Sequence, residues 1–355
     1  MDKVLFLSLL PNDYSRTGVI YREYKGGKEF ILIQGNKVHK IRQILKIRKS
    51  ISRQQIIVVM SPSHSLCIYL RLFGRKQIIL DAGWSLSESN SVRDNRKIFG
   101  FNRRLFIYVI DFLSFHLSKV VVLESKQQID YVRKKFLVKH SKLKVNYTGF
   151  NELNYENVVA KIPYDLDIST IKNKKVIFFR GKHNKEAGIK EILSIFELLH
   201  DDYTKNIALV IATDSNVEQY CTSKSVNILA RTLEYSEIKW LYEFADISIG
   251  QMNRLDRLEN TIPHKAFEAM YFRKPYVSFN TASIREILPS RNFAFLIDDY
   301  TELQEIFSGL NNGQIGSDVL DEMSCNAKLK YETEFSQAIL RDKFSKIIKD
   351  LTCEN

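Results

Sequence analysis

The chain has 355 residues, of which 45% are hydrophobic and 26% charged, a globular composition that excludes collagen-like, disordered and coiled-coil proteins. At about 150 residues per domain, this length predicts two domains. The four cysteines, Cys67, Cys221, Cys325 and Cys353, lie far apart without a Cys-x-x-Cys pair, which argues against a disulfide scaffold or a zinc ribbon and favours the reducing cytoplasm.

The charge is divided unevenly along the chain. Residues 1–150 carry 28 Lys and Arg against 10 Asp and Glu, a net charge of +18, whereas residues 151–355 carry 25 against 31, a net charge of −6. This asymmetry indicates two domains with different surroundings. The basic half suits nucleic acid, an anionic membrane surface or acidic ligands, and a merely solvated basic surface is the alternative.

No apolar run predicts a signal peptide or a membrane-spanning helix. Residues 4–10 are apolar or small, but Pro-Asn-Asp follows without a small-residue cleavage site, so we expect a first buried strand. The longest apolar stretch, residues 105–123, is interrupted by Asp111, His116 and Lys119. A transmembrane helix needs about 20 predominantly apolar residues, so this stretch is predicted not to cross a membrane.

Strands and helices alternate through the first half of the chain. Short apolar runs predict strands at residues 4–10, 30–34, 56–61, 77–82, 119–123 and 145–147. Longer periodic segments predict helices at residues 38–53, 62–73, 103–117 and 126–137. Residues 85–102 are polar and basic with no clean period, so we expect a loop there.

The second half repeats this alternation. Strands are predicted at residues 176–179, 208–212, 226–229, 247–249, 276–279 and 293–297. Helices are predicted at residues 186–199, 236–244, 263–273 and 331–351. Residues 151–173 are irregular and polar, and we interpret them as a linker between an N-terminal domain, residues 1–150, and a C-terminal domain, residues 174–330.

Near-continuous apolar strands that alternate with helices are typical of parallel sheets covered on both faces. Two such units predict an α/β protein with two Rossmann-like domains that face one another. Open parallel sheets bind ligands beyond the carboxyl ends of their strands. We therefore expect functional residues directly after strands and a shared ligand in the cleft.

A glycine and several basic residues follow the first predicted strand of the second half. Arg180, Gly181, Lys182 and Lys185 lie between that strand and a helix. A glycine lets the backbone approach a ligand closely, and a helix N-terminus with nearby lysines favours phosphate. The alternative is an ordinary strand–helix turn with solvated lysines. The spacing matches neither a Gly-x-Gly-x-x-Gly dinucleotide fingerprint nor a Walker loop.

A second polar group opens the helix predicted at residues 263–273. Pro263 begins the helix, Lys265 lies on its first turn and Glu268 lies one turn further on. The lysine and the helix N-terminus suit a diphosphate, and the carboxylate suits ribose hydroxyls. The alternative is a surface Lys265–Glu268 pair, which stabilises a helix by about 0.2–0.5 kcal/mol.

Together these segments resemble the donor-binding domain of GT-B glycosyltransferases of glycosyltransferase family 4. That family has a strand followed by Gly-Arg or Gly-Lys with a downstream lysine, then a Glu-x7-Glu motif that enters a helix, then a Gly-Lys-Pro-Val strand. Here the similar parts are Gly181-Lys182, residues 260–268 and Lys274-Pro275-Tyr276-Val277. The resemblance covers residues 174–300, and its Pro-x-Lys-x-x-Glu variant is similar to enzymes of bacterial surface-polysaccharide assembly.

The resemblance assigns roles residue by residue. It implies that Gly181 and Lys182 contact the donor phosphates and that Glu268 holds the nucleotide ribose. Lys185 is expected to supply the second cation, although the family's usual lysine position is Ala187 here. The other expected donor contacts are Arg180, Ile262, Pro263, His264 and Lys265.

The function implied by the resemblance is retaining transfer of a sugar from a nucleotide sugar, with UDP-sugar preferred over GDP-sugar, to a lipid-linked saccharide in polysaccharide or O-antigen assembly. The expected catalytic residues are Lys182, Lys185, Asp81 and Asn260, which stands where the family has its first glutamate. Fixed positive charge would stabilise the leaving diphosphate. The resemblance also implies that no metal or other cofactor is needed and that a terminal helix, residues 331–355, crosses back toward the N-terminal domain.

In the N-terminal half, two groups of residues follow predicted strands. Asp81, Gly83 and Trp84 follow one strand, and Asp81 is expected to orient an acceptor hydroxyl or, as the alternative, to cap the following loop. Residues 16–18 follow the first strand and are candidates to line the cleft. The Asp-Leu-Asp sequence at residues 165–167 resembles a metal-binding motif but lies in the predicted linker, so we expect no metal there.

A basic segment precedes the apolar helix predicted at residues 103–117. Its members are Arg93, Arg96, Lys97, Arg103 and Arg104, and Arg42, Lys46 and Lys49 form a second basic stripe. A basic amphipathic surface binds anionic lipid with about 1 kcal/mol per basic residue near the membrane. We therefore expect peripheral association with the cytoplasmic face of a membrane, where a lipid-diphosphate-linked acceptor would lie.

Three alternatives stay open at the level of the sequence. A sugar-nucleotide epimerase of the same fold would act on the donor alone. A non-catalytic relative would explain Asn260 in place of glutamate. A nucleic-acid-binding protein would explain the basic residues 1–150 and would lose affinity steeply with salt, but no nucleic-acid module is recognisable, so we expect no nucleic-acid partner.

Overall fold

The computed structural model describes residues 4–11, 15–22, 24–50, 55–75, 77–93, 100–199 and 205–353. The chain divides into two compact units. Unit 1 consists of Met1–Asn151 together with Phe335–Asn355, and unit 2 consists of Glu152–Glu334. Each unit is built on one six-stranded sheet whose strand pairs are all parallel.

The sheet of unit 1 has the strand order β2-β1-β3-β4-β5-β6. Its strands are β1 (Val4–Ser8), β2 (Lys28–Leu32), β3 (Ile57–Met60), β4 (Ile78–Gly83), β5 (Val120–Leu123) and β6 (Leu143–Val145). The central strands are near-continuous aliphatic runs because both of their faces are buried, and β-branched residues pack well on a pleated surface.

Helices connect the strands of this sheet. They are α1 (Ser15–Thr17), α2 (Lys37–Ser50), α3 (Ser65–Leu72), α4 (Leu86–Arg93), α5 (Gly100–Leu117) and α6 (Lys126–Phe136). Helices α2, α3, α5 and α6 contribute buried apolar side chains to one core cluster against the sheet, among them Ile44, Leu66, Phe115 and Val132. These four helices therefore form a single layer, which we call the outer helix layer of unit 1.

Helix α4 corrects the prediction of a loop over residues 85–102. The buried carboxylate of Asp111, on α5, accepts hydrogen bonds from the backbone N–H groups of Leu86 and Ser87, at 3.2 and 2.8 Å, and from the Ser85 hydroxyl at 2.7 Å. The first turn of α4 is thus satisfied by a side chain from another helix. A cap that lies 24 residues away along the chain has no local sequence signature.

The sheet of unit 2 has the strand order β12-β11-β10-β7-β8-β9. Its strands are β7 (Lys175–Arg180), β8 (Ile207–Thr213), β9 (Val226–Ala230), β10 (Ile247–Ile249), β11 (Tyr276–Phe279) and β12 (Phe295–Ile297). Its helices are α7 (Ile168–Ile171), α8 (Ile189–Glu197), α9 (Tyr235–Phe244), α10 (His264–Tyr271), α11 (Tyr300–Asn311) and α12 (Ser317–Lys330). Helix α12 was not predicted from the sequence.

The two aspartates of the predicted linker have structural partners. Asp165 accepts a hydrogen bond from Arg231 at 2.7 Å, and Asp167 accepts one from the backbone N–H of Ser169 at 2.9 Å as the N-cap of α7. Both carboxylates belong to unit 2. In the part of the chain that the structure describes, no group of three or more His, Cys, Asp and Glu side chains could hold a metal ion.

The last helix, α13 (Gln337–Cys353), belongs to unit 1 although it follows unit 2 in the sequence. A π-helical turn, Tyr331–Phe335, precedes it, so it begins six residues later than the predicted helix at residues 331–351. Phe344, Ile348 and Leu351 pack with Val4 and Val58 on the sheet face opposite the outer helix layer. The first and last parts of the chain thus share one core.

Candidate active site

The strand order of unit 2 identifies where a ligand would bind. Strands β7 and β10 are neighbours, and the chain continues from β7 toward β8 and from β10 toward β11, in opposite directions along the sheet. At such a switch point the loops after the two strands diverge and leave a crevice at the carboxyl ends. The basic segment starts at Arg180, the last residue of β7, and residues 250–263 connect β10 to α10.

Arg180 and Glu268 form an ion pair at this edge. Arg180 ends β7, and its Nη1 lies 2.6 Å from Oε1 and 2.8 Å from Oε2 of Glu268 on α10. The Tyr242 hydroxyl, from α9, donates to Oε2 at 2.9 Å, and His264 Nδ1 lies 3.4 Å from Oε1. Each carboxylate oxygen of Glu268 therefore already has two side-chain partners, which come from β7, α9 and α10. The Glu268 side chain is 4% exposed, whereas that of Arg180 is 31% exposed.

The charge balance of this cluster keeps Glu268 ionised. Burial by itself would raise the pKa of Glu268, but the Arg180 charge, the His264 hydrogen bond and the Lys265 charge hold that pKa well below its usual range. Burial, and after it the Glu268 charge, raise the pKa of Tyr242, so its hydroxyl stays protonated and can donate. The cluster is a buried anion surrounded by donors, with the Arg180 guanidinium as its more exposed member.

Lys265 brings a further positive charge to the same edge. It lies on the first turn of α10, and its Cε is 3.2 Å from the position that a Cβ atom on Gly181 would occupy. Burial lowers the pKa of Lys265, against the attraction of Glu268. Among the described residues, its ammonium group has no hydrogen-bond or salt-bridge partner. An ammonium group held at a helix N-terminus without a partner is suited to an anion.

The loop from Gly181 to Gly188 is fixed at several points. The backbone N–H of His183 donates to Asp214 at 2.8 Å, and the Asn253 side chain donates to the Lys185 carbonyl at 2.7 Å. Gly188 has φ +65°, and a Cβ atom there would lie 2.2 Å from the Met252 carbonyl oxygen. The loop therefore packs directly on the segment after β10, and only glycine allows this approach.

The predicted cations of this loop differ in their surroundings. The side chains of Lys182 and Lys185 are exposed, whereas Ala187, at the family's usual lysine position, is buried and carries no charge. Arg180 and Lys265 are partly buried at this edge of the sheet, in contrast to the two exposed lysines. Arg180 precedes the glycine rather than following it, and Lys265 comes from α10.

The segment before α10 is held by its own contacts. Arg257 is salt-bridged to Glu186, and the Ser283 hydroxyl donates to the carbonyls of Leu258 and Thr261 at 2.9 and 3.1 Å. Ile262 and Pro263 are buried, and Pro263 is the N-cap residue of α10. This anchoring sets the position of the α10 N-terminus.

Asn260 and its neighbour Glu259 are oriented differently. Asn260 is partly exposed and closes the 3-10 turn Asp256–Glu259, with its backbone N–H on the Arg257 carbonyl at 3.1 Å. The Glu259 carboxylate instead accepts from the Ala282 backbone N–H at 3.3 Å, in the loop after β11. The Glu259 carboxylate is therefore directed to the loop after β11.

Unit 1 has a buried polar cluster at the carboxyl ends of its own strands. Arg16 Nε lies 2.9 Å from both carboxylate oxygens of Asp81, and its Nη2 lies 2.6 Å from Oδ1. The Arg16 Nη1 lies 3.4 Å from the Thr148 hydroxyl, which donates to Glu124 at 2.8 Å. Burial raises the pKa of Asp81, against the opposing effect of Arg16. Asp81 has no exposed surface, so it contacts Arg16 and not solvent.

The other predicted residues of unit 1 lie in two places. Gly83 ends β4 with φ +68°, next to Arg16, and Trp84 follows it partly exposed. Arg103 and Arg104 are exposed on α5. Arg96 and Lys97 lie outside the described residues.

Two contributions to the site have no local signal in the sequence. Tyr242 lies on a helix, and the apolar period of that helix predicts only that its ring is buried in the core. Nothing in the local sequence indicates that its hydroxyl binds a carboxylate. The salt bridge between Glu186 and Arg257 joins residues 71 positions apart, which a single sequence cannot pair. Arg180 was identified as a donor contact, but its role as the partner of Glu268 was not.

Comparison with known proteins identifies the domain that carries this site. Residues 165–314 match the family model described as glycosyl transferases group 1. Solved structures with a similar fold include HepE of Anabaena in complex with UDP, with 14% identity and a TM-score of 0.70 over 98% of this chain and 100% of HepE. The UDP-forming α,α-trehalose-phosphate synthase of Burkholderia vietnamiensis has 10% identity and a TM-score of 0.72 over 98% of this chain and 100% of its own.

A glycosyltransferase of Rickettsia africae is also similar, with 12% identity and a TM-score of 0.66 over 99% of both chains. No curated protein matches the chain. These structures confirm the α/β GT-B fold with two Rossmann-like units. The family match to residues 165–314 confirms the expected enzyme class, a glycosyltransferase.

Proposed function

Starting from a chain with a group 1 glycosyltransferase domain on a GT-B fold, we propose that it transfers a sugar from UDP-sugar to a lipid-linked saccharide with retention of the anomeric configuration. The observation that carries the donor half of this proposal is the pair of cations, Arg180 and Lys265, at the switch point of unit 2. A diphosphate is the ligand whose charge such a pair complements.

Arg180, Lys265 and the exposed Lys182 and Lys185 are proposed to stabilise the leaving diphosphate. As the bond between the anomeric carbon and the β-phosphate oxygen breaks, negative charge develops on that oxygen. Fixed cations aimed at this charge lower the barrier without reorganising, because they are held before the reaction begins. The acceptor hydroxyl forms the new bond to the anomeric carbon and passes its proton to the leaving phosphate.

We propose that Glu268 acts in donor binding mainly through Arg180. Its two oxygens are already engaged by Arg180, Tyr242 and His264, so a ribose hydroxyl would have to displace one of these partners. Glu268 is then a positioning residue that fixes the guanidinium toward the ligand. Asn260 is proposed to hydrogen-bond a hydroxyl of the transferred sugar, and Ile262, Pro263 and His264 to form the turn against it.

The preference for uridine is supported by the solved relatives. HepE of Anabaena was crystallised with UDP and with UDP-glucose, and the trehalose-phosphate synthase is described as UDP-forming. We propose the same nucleotide for this chain. We also propose that no divalent metal takes part, because the protein's own cations would neutralise the diphosphate. Chelation with EDTA is then expected to leave the transfer rate unchanged.

The acceptor half of the proposal concerns unit 1. We propose that Asp81 acts by holding Arg16, and that Gly83 and Trp84 line the place where the acceptor saccharide lies. A lipid-linked acceptor, as used in polysaccharide and O-antigen assembly, fits the basic character of residues 1–150 and the spacing of the donor motif. Among the residues that the structure describes, no helix is long and apolar enough to span a membrane.

The proposal is tested by a thermal-shift screen with UDP, GDP, CMP, ADP and their sugar conjugates. UDP at 100 times its dissociation constant is expected to stabilise the chain by about 2.7 kcal/mol, a shift of several degrees. Lys265→Met and Arg180→Met should reduce this shift strongly. Lys224→Met is the matched control, because Lys224 is exposed and precedes β9 at the opposite edge of the same sheet.

Transfer itself is tested with labelled UDP-sugars and a lipid-extract acceptor. Release of UDP that depends on the acceptor supports the transferase. Conversion of the donor without any acceptor would identify an epimerase instead. A lack of any nucleotide shift together with no turnover would contradict the donor site.

A further inference from the structure

Helix α5 carries an apolar stripe on the side that faces away from the core. Leu105, Phe106, Val109 and Phe112 are between 38% and 64% exposed. The opposite side of the same helix contributes Asp111, Ser114 and Phe115, which are fully buried. At 3.6 residues per turn, positions 105, 109 and 112 fall on one line and position 106 lies beside it. The helix therefore presents aromatic and aliphatic side chains to the surroundings of unit 1.

The stripe belongs to a helix layer that carries many exposed basic residues. Arg103 and Arg104 are exposed at the start of the stripe, and Arg42, Lys46 and Lys49 are exposed on α2 in the same outer helix layer. Helices α2, α3 and α5 contain a single acidic residue, Asp111, and that residue is fully buried where it caps α4. The fourth helix of the layer, α6, has one half-exposed acidic residue, Asp130, against the exposed Lys126, Arg133, Lys134 and Lys135, so the charge of the whole layer is positive.

We infer that this outer helix layer is a docking surface for an anionic lipid bilayer, with the α5 stripe inserted among the headgroups and the exposed Arg and Lys side chains of the layer on the lipid phosphates. An interfacial helix combines an apolar face with Lys and Arg at its borders, and the two contribute together to binding. The inference deepens the proposed function, on which it rests for the lipid-linked acceptor.

The charge of the layer favours a bilayer over two other occupants. A second copy of the chain would bring two basic surfaces together, and like charges at close range oppose association. A nucleic acid would satisfy the cations, but its phosphate backbone offers no apolar region for Leu105, Phe106, Val109 and Phe112. A bilayer with anionic headgroups provides both the negative charge and the apolar interior.

The test measures sedimentation of the full chain with vesicles of phosphatidylcholine alone and of phosphatidylcholine mixed with phosphatidylglycerol. Binding is expected to the mixed vesicles, to fall with added salt, and to be weak to phosphatidylcholine alone. The variant Leu105→Ser/Phe106→Ser should bind the mixed vesicles about tenfold more weakly, because the inserted apolar area is lost. Arg103→Gln/Arg104→Gln should weaken binding by a factor of about thirty.

The matched control is Val159→Ser/Leu329→Ser, which makes the same chemical change at two exposed positions of unit 2. It should bind vesicles as the unaltered chain does. Insertion is measured directly with Phe106→Trp, whose emission should shift to the blue on mixed vesicles, whereas Val159→Trp should show no shift. Each variant should keep its melting temperature and its UDP-induced shift, so a loss of vesicle binding cannot come from unfolding.

Equal binding by the α5 variants and the control would overturn the docking surface. So would equal binding to both lipid mixtures. Binding to duplex nucleic acid in place of vesicles, or a dimer in sedimentation equilibrium that the α5 variants abolish, would assign the surface to a different occupant. All of these measurements are made without donor sugar. Failure of the docking surface is therefore distinct from failure of UDP binding, which the thermal shift reports.

Discussion

Arg180 and Glu268 lie 88 residues apart in the sequence, and their side chains meet at 2.6 Å at the carboxyl edge of the unit 2 sheet. One comes from the end of a strand and the other from a helix that begins at an anchored turn. The pair joins the two segments in which sequence analysis placed the donor site. The buried Glu268 carboxylate needs the guanidinium as its counter-charge, and the more exposed guanidinium is held in position by the carboxylate.

Glu268→Gln is expected to lower the free energy of unfolding by about 2–4 kcal/mol, because it leaves the partly buried Arg180 charge without its anion. UDP affinity should fall as well, since the guanidinium loses its position. Chemical denaturation and thermal shift with UDP measure the two effects. Glu302→Gln is the matched control, because its partner Arg291 is 69% exposed and loses little when left unpaired, so the Arg291–Glu302 pair should contribute about 0–1 kcal/mol.

The same carboxylate predicts an acid dependence of stability. The pKa of Glu268 is lower in the folded chain than in the unfolded chain. Its stabilising contribution is therefore fully present above the unfolded pKa, near 4.3, and is lost as the pH falls below that value. The stability difference between the unaltered chain and Glu268→Gln should shrink in this acid range. A constant difference across it would contradict the ion pair.

Tyr242→Phe removes the hydroxyl that donates to Glu268 and leaves the packed ring in place. A net loss of about 0.5–1.5 kcal/mol in unfolding free energy is expected, with a modest decrease in UDP affinity. Tyr164→Phe serves as the control, because Tyr164 is exposed. If the two variants had equal stability, the Tyr242 hydroxyl would have no part in the cluster.

Gly188→Ala should be much more damaging than Gly313→Ala. Both glycines have positive φ, at +65° and +79°, so each alanine incurs the left-handed cost of about 1–2 kcal/mol. Around Gly313 there is no heavy atom within 4 Å of the new Cβ, whereas at Gly188 that atom would lie 2.2 Å from the Met252 carbonyl oxygen. We expect Gly188→Ala to lose at least about 3 kcal/mol and UDP binding with it. Urea denaturation of both variants checks the difference.

UDP affinity is expected to depend on the charge of Lys265. Burial lowers the pKa of this ammonium group in the free protein, where Glu268, Arg180 and Glu186 are the charges that act on it. Affinity should therefore fall as the pH rises through that lowered pKa, below the usual value near 10.4. Isothermal titration across alkaline pH measures the decrease. Lys265→Arg stays charged in this range, so it should move the decrease to higher pH, and an unchanged profile would exclude Lys265.

The ion pair between Arg16 and Asp81 in unit 1 should show strong coupling. Asp81→Asn leaves a buried guanidinium without its counter-charge and is expected to lose about 3–5 kcal/mol. Arg16→Met should be similarly costly, but Arg16→Met together with Asp81→Leu should lose less than the sum of the single changes. A double-mutant cycle by urea denaturation measures this. Additive losses would mean that the two residues act independently.

Most of the architecture could be predicted from the pattern of apolar runs. Strands such as β3 and β8 are continuous aliphatic segments, and their period and length distinguish them from the helices between them. Helix α4 was missed because its N-terminus is capped by Asp111 from a later helix. Helix α12 was missed as well. The start of α13 was predicted too early because the π-helical turn before it continues the apolar period.

Several residues of the candidate site could be predicted from the sequence, but not which of their side chains contact one another. Gly181, Lys265 and Glu268 have local signatures in a turn glycine and a helix start. The partner of Glu268 has none, since a basic residue at the end of a strand can be solvated or paired. Which of Arg180, Lys182 and Lys185 is held at the carboxyl edge depends on the three-dimensional path of the loop. That path is set by contacts to Asp214 and Asn253, which lie far along the chain.

The position of α13 has a consequence for how the chain is made. Unit 2 is an insertion within unit 1, because residues on both sides of it complete the same core. During synthesis the first 151 residues can form the sheet and its outer helix layer, but one sheet face lacks Phe344, Ile348 and Leu351 until all of unit 2 has been translated. Unit 2 is contiguous in sequence and can acquire its structure on the ribosome first. Unit 1 is therefore the first unit whose synthesis begins and the last unit whose core is completed.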